Sequence, residues 1–193
     1  RPKAMNTLMP LSFVLPLRLC LALFALCLAS PPLWAEESLL TPDGYRSGHY
    51  RSPTPASSEY AQTLDTAALQ QLLQSQPQTR LIDVYRQQWL HGRFIAEEPH
   101  SNLPGSLWLA NSGDGVLTAQ WLDYFSRNLQ QVTQGDKGWP LVFYCRSDCW
   151  LSWNAVKRAH HLGYHNLYWY RDGIDAWQQA GLPLVTAQPQ ALP

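Results

Sequence analysis

Pro140-Leu141-Val142-Phe143-Tyr144-Cys145-Arg146-Ser147-Asp148-Cys149-Trp150-Leu151-Ser152-Trp153-Asn154-Ala155 passes from one periodicity to another. Pro140 to Tyr144 is a short, unbroken apolar run, the pattern of a strand buried on both faces. From near Trp150 the spacing is helical, with Leu151, Ala155, Ala159 and Leu162 on one side and Gly163 as terminator. Cys145 thus falls between a central strand and a helix. In open α/β sheets, ligands bind off the carboxyl ends of strands. Loop N–H groups there, with the helix N-terminus behind them, stabilise an anion. The same field lowers a thiol below its free pKa of ~8.5. Position makes Cys145 a candidate nucleophile; a buried inert cysteine or a plain structural disulfide are the other readings.

Working outward, strands and helices alternate. Asp65 reads as the N-cap of a helix over Thr66 to Gln74, with Leu69, Leu72 and Leu73 on one face. Leu81 to Tyr85 is a short apolar strand. Gln87 to Asn102 is a polar insertion, and Leu103-Pro104-Gly105-Ser106 a turn into a strand at Leu107 to Leu109. Leu117 to Val132 carries a helical stripe at 117, 121, 122, 125, 129 and 132. Asn166 to Tyr170 is a strand, and Ile174 to Ala180 a helix ending at Gly181. The alternation implies an α/β domain, a parallel central sheet with helices on both faces.

The 193 residues, 46% hydrophobic, suffice for one core. Leu19 to Ala29 is an apolar run behind Arg18, broken by Pro31 and Pro32 and followed by Leu33-Trp34-Ala35 before Glu36. It is shorter than the ~20 residues a bilayer span needs. Residues 1–35 are therefore expected to be a signal peptide, cleaved near Ala35, giving a periplasmic protein with no stable membrane insertion. Arg1 to Ala4 precede Met5, so the start is expected at Met5 unless the sequence is a fragment. The chain balances 14 basic against 14 acidic residues. The leader holds Arg1, Lys3 and Arg18 and no acid, so the remainder is mildly acidic, no platform for nucleic acid. Cleavage leaves only Cys145 and Cys149. In an oxidising compartment they form either a small disulfide or a redox or sulfur-handling site. Residues 36–62 read as an extended arm, 63–185 as the folded domain and 186–193 as a flexible tail.

Val142 to Ser147, Gly163-Tyr164-His165-Asn166-Leu167-Tyr168, Asp172-Gly173-Ile174-Asp175-Ala176-Trp177 and Ala180-Gly181-Leu182-Pro183 together resemble the second half of a rhodanese domain. Leu81-Ile82-Asp83-Val84 and Leu103-Pro104-Gly105-Ser106 resemble its first half. The resemblance implies a rhodanese-like fold in which the matching cysteine carries sulfane sulfur as a cysteine persulfide. Rhodanese loops place Arg five residues after the cysteine; here that position is Trp150, and the loop is one residue longer. Cys145 to Ala155, with Gly44-Tyr45-Arg46, Tyr50-Arg51-Ser52-Pro53 and Trp169-Tyr170, resembles a narrower group, the pyrroloquinoline-quinone-dependent catabolism-associated CXXCW motif proteins. That resemblance implies an indirect association with PQQ-dependent alcohol oxidation. The expected partners are a quinoprotein dehydrogenase, a cytochrome or a transporter component.

On this reading Cys145 is the nucleophile and Cys149 the resolving thiol. Arg146, Ser147, Asp148 and Trp150 contact substrate, and backbone amides of residues 146–150 stabilise the anion. The alternative is a non-catalytic accessory module with a structural Cys145–Cys149 disulfide. His91, His100, Glu97 and Glu98 fit no standard metal-ligand spacing and read as a solvated loop. There is no Cys-x-x-Cys-His for haem and no phosphate-cradling glycine motif.

Overall fold

Val142 and Tyr144 point to one side of their strand and Leu141, Phe143 and Cys145 to the other, and the two sides belong to separate apolar clusters. The strand is thus buried on both faces, as its unbroken apolar run requires. The computed structural model describes residues 39–96 and 98–192, which form one compact unit. The expected signal peptide and its cleavage point, and Glu97, lie outside the described residues.

Five strands build the sheet: β1 (Gln62–Leu64), β2 (Arg80–Asp83), β6 (Leu107–Trp108), β7 (Leu141–Tyr144) and β8 (Leu167–Tyr170). Their order is β1-β8-β7-β2-β6, every pairing parallel. The helices are α1 (Thr66–Ser75), α2 (Ala119–Val132), α3 (Trp150–His161) and α4 (Gly173–Gln179). Leu69 and Leu72 of α1 pack with Ile174 and Trp177 of α4 on one face. Tyr124, Phe125 and Leu129 of α2 pack with Leu151, Ala155 and Ala159 of α3 on the other. The expected α/β layering is present. Asp65 caps α1 as its sequence suggests, accepting from Ala68 N at 2.8 Å.

Two segments differ from expectation. The polar insertion holds an antiparallel hairpin, β3 (Gln88–Leu90) and β4 (Arg93–Ile95). His91 and Gly92 form its two-residue turn, both at positive φ, and Trp89 and Phe94 pack on Trp121. In α2 the buried positions are Tyr124, Phe125 and Leu129, while Leu122 faces solvent. Near the chain end, residues 185–190 make defined contacts. β9 (Val185–Thr186) pairs with β5 (Ser101–Asn102), and Gln190 N donates to Trp108 O while its carbonyl accepts from Tyr124 Oη. Among the described residues no helix is long and apolar enough to cross a membrane.

Candidate functional site

Parallel strands β2 and β7 run in register, Asp83 beside Tyr144, so their carboxyl ends open at one level. The chain leaves β7 at Cys145, turns through Arg146 and Ser147, and reverses at Asp148, whose φ of 49° lies in the left-handed region. Cys149 then caps α3. This curl brings the Cα atoms of Cys145 and Cys149 to 6.4 Å, and the two are joined by a disulfide. Of the states the sequence left open, the structure holds the bonded one. Both cysteines are fully buried, within the cluster formed by α2, α3 and the sheet.

Neighbouring elements grip the loop. Gly173 opens α4 at φ 55°, and the next amide, Ile174 N, donates to Cys145 O at 3.0 Å. A Cβ on Gly173 would meet that carbonyl oxygen at 2.3 Å, so the close approach demands glycine. Asp175 takes Ser147: its Oδ2 accepts from Ser147 N and Ser147 Oγ, both at 2.9 Å. Its Oδ1 accepts from Arg146 Nη2 at 3.0 Å and Nε at 3.3 Å. Burial works to raise the Asp175 carboxyl, but the hydrogen bonds from Arg146 and Ser147 outweigh it and hold the group below the usual Asp value.

The arm expected to be merely extended completes the site. Arg51 pairs with Cys149 in an antiparallel bridge. Trp150 N donates to Tyr50 O at 2.9 Å, and Ser52 N to Asp148 O at 3.1 Å. Arg51 Nη1 donates to Ser147 O at 2.6 Å. The Trp150 indole donates to Pro53 O at 3.2 Å and lies under the Arg46 guanidinium. Asn154, buried on α3, fastens the arm's backbone. Its Oδ1 accepts from Arg46 N at 2.9 Å, and its Nδ2 donates to Arg46 O at 2.8 Å and Gly113 O at 2.9 Å.

The structure therefore gathers Cys145, Cys149, Arg146, Ser147, Asp148 and Trp150 on one loop, with one correction. The amides of Ser147 and Trp150, expected to face an anion, donate instead to Asp175 and to Tyr50 O. The reason is that the arm and α4 supply acceptors that no local pattern announces. Arg146, expected to contact substrate, pairs with Asp175 and lines a cavity of about 770 Å³ with Tyr85, Arg86, Gln88, Glu98 and His100.

Sequence reasoning missed His100. It is no solvated loop residue: its Nε2 lies 2.7 Å from Oδ2 of Asp83, and its ring stacks on Tyr85 and packs against Trp108. Asp83 is fully buried, and burial raises its carboxyl although the bonds from His100 and Tyr85 N oppose the rise. A carboxylate inside an otherwise apolar strand was the available signal. His91 sits apart, in the hairpin turn, and among the described residues no group of His, Cys, Asp and Glu is arranged to hold a metal.

A parallel five-stranded α/β domain with a cysteine loop off its central strand is the class that fold and site define. The sequence matches the Rhodanese-like domain family over residues 65–180, and the chain belongs to that family. No curated protein matches it significantly. Among solved structures it is similar to a thiosulfate sulfurtransferase from Pseudomonas aeruginosa, at 16% identity and TM-score 0.48, covering 67% of this chain and 21% of that one. The chain thus spans about a fifth of that enzyme's length. It is also similar to a polysulfide-sulfur transferase from Wolinella succinogenes, at 16% identity and TM-score 0.44, covering 68% and 82%. A 3-mercaptopyruvate sulfotransferase from Escherichia coli matches at 17% identity and TM-score 0.48, covering 69% and 54%.

Proposed function

We propose that this rhodanese-like protein is exported to the periplasm and uses Cys145 for sulfur transfer or thiol redox chemistry in support of PQQ-dependent alcohol catabolism. The observation that carries the chemistry is the Cys145–Cys149 pair, closed across three intervening residues on the loop at the carboxyl end of β7. After reduction by a dithiol, the Cys145 thiolate attacks the sulfane sulfur of a donor, whose remainder leaves with the bonding electron pair. The product is a Cys145 persulfide. The Cys149 thiolate then attacks Cys145 Sγ, expels the outer sulfur as hydrosulfide and restores the disulfide. Intact mass of reduced Cys149→Ser after incubation with sulfane-sulfur donors should show one added sulfur that the further change Cys145→Ser abolishes, while the wild type returns to its disulfide. No donor-dependent mass change would overturn the transfer reading.

A second reading has its own support. Both cysteines are fully buried, the arm lies over their loop, and Trp150 stands where rhodanese loops carry Arg. On this reading the disulfide is permanent and the protein docks a quinoprotein dehydrogenase, a cytochrome or a transporter component. Growth on alcohols separates the two: a folded Cys145→Ser, Cys149→Ser double variant that rescues fully favours docking. A working redox pair closed over so short a loop should also have a potential well above the roughly −300 mV of structural disulfides. Equilibration with glutathione buffers and alkylation measures it.

A further inference from the structure

Among the described residues, both arginines lining the 770 Å³ cavity carry an internal carboxylate partner. Arg86 makes a two-point pair with Asp114, at 2.7 and 2.8 Å. Arg146 is held by Asp175 at 3.0 Å, and the His100 ring is hydrogen-bonded to Asp83 at 2.7 Å. Glu98 adds a further acid to the wall. With both arginines matched by acids, the cavity has no net pull on a free anion.

The Arg146 pair goes further than neutralisation. Two guanidinium N–H groups, one backbone N–H and one hydroxyl converge on the two oxygens of a single carboxylate. That donor set, charge-assisted and spread over two acceptor atoms, is what a sulfate, sulfonate or thiosulfate would require. It belongs to the two residues that follow Cys145. The carboxylate filling it comes from α4, whose start is stitched to Cys145 O. The seat is within reach of solvent, the side chains of Arg146 and Asp175 being 45% and 31% exposed.

We infer that Asp175 is a specificity-determining residue, its carboxylate occupying the oxyanion seat made by Arg146 and Ser147 so that the site turns away free sulfane-sulfur oxyanions and takes sulfur or electrons from a thiol or persulfide group. This rests on the proposed sulfur or thiol chemistry of the loop. The seat itself is tested without that chemistry. Sulfate is titrated against the disulfide form, wild type and Asp175→Ala, with thermal unfolding as the readout and chloride at matched ionic strength as the control. Sulfate stabilises folded proteins generally, so the difference between the two proteins is what counts.

The Asp175→Ala protein should gain a saturable, sulfate-specific rise in Tm, with affinity at least about tenfold above wild type. Adding Arg146→Gln should remove that gain. Should Asp175→Ala fail to fold, Asp175→Asn, which lacks the charge and one acceptor oxygen, should show the same gain in smaller degree. Equal sulfate responses in wild type and a folded variant would overturn the inference, and so would a gain that survives Arg146→Gln. An inert Cys145 would leave this titration unchanged, so failure of the sulfur chemistry and failure of the seat are read separately.

Discussion

Asn154→Ala should unfasten the N-terminal arm from α3. The Asn154 amide is fully buried, and each of its three hydrogen bonds reaches backbone: Arg46 N, Arg46 O and Gly113 O. Truncation leaves one N–H and two carbonyls without their partner. A buried polar group left unsatisfied costs about 1–3 kcal/mol, and water entering the vacated space recovers part of this. The arm's N–H, which has a single acceptor to lose, sets the floor, and the total comes to about 3 kcal/mol. That is a large share of a stability of roughly 5–15 kcal/mol, yet the domain remains folded. If the loss falls on local arm opening, the open fraction rises about a hundredfold, since 1.4 kcal/mol is tenfold. Trypsin cleavage after Arg46 and Arg51 under native conditions reads the opening, and urea denaturation reads the global term. Asn154→Asp should cost more than Ala, because a carboxylate oxygen would then face two carbonyls. A loss below about 1 kcal/mol with unchanged tryptic rates would refute the view that Asn154 hangs the arm on α3.

Gly173→Ala should abolish the loop geometry, because the new Cβ meets Cys145 O at 2.3 Å in a left-handed backbone; a soluble variant with a normally buried disulfide by alkylation would contradict this. Cys145→Ala with Cys149→Ala should lower stability by about 2 kcal/mol, the chain-entropy value for so short a loop, read as a shift in urea midpoint at unchanged slope. Asp175 has its folded pKa below the ordinary Asp value. Its contribution is therefore complete above about pH 4 and lost as pH falls through the lower folded value. Asp175→Asn should flatten stability against pH at that acid end, and a curve as steep as wild type would remove Asp175 from the account.

What was legible in the sequence was what local pattern encodes. The apolar runs at Leu81 and Val142 announced central strands because both faces of those strands are covered. Asp65 announced α1 because its cap bond spans only three residues. Cys145 was placed off a strand end by the switch in periodicity alone. The rest depends on distance. The bonds from Asn154 to Arg46 join residues 108 apart, and no spacing rule connects them. Asp175 lies 28 residues beyond Ser147 and was read only as a helix residue. The His91-Gly92 turn was hidden because His-Gly is not among the Asn-Gly, Asp-Gly and Gly-Gly pairs that mark a two-residue hairpin turn. The stripe on α2 misled at Leu122 because the face was assigned by hydrophobicity, while Tyr124 fills the core with its ring and keeps its hydroxyl on Gln190 O.

The covered disulfide also fixes an order of events in maturation. Tyr50, Arg51 and Ser52 leave the ribosome early, but Asp148, Cys149 and Trp150, against which they dock, follow nearly a hundred residues later. An external oxidant meets the two thiols only before the chain around them has closed, since in the finished protein neither cysteine is exposed. The bond is thus made in the interval between synthesis and closure. Thereafter small reductants reach it only when the structure around it opens, so its lifetime in the finished protein is governed by that opening as well as by the strength of the bond itself.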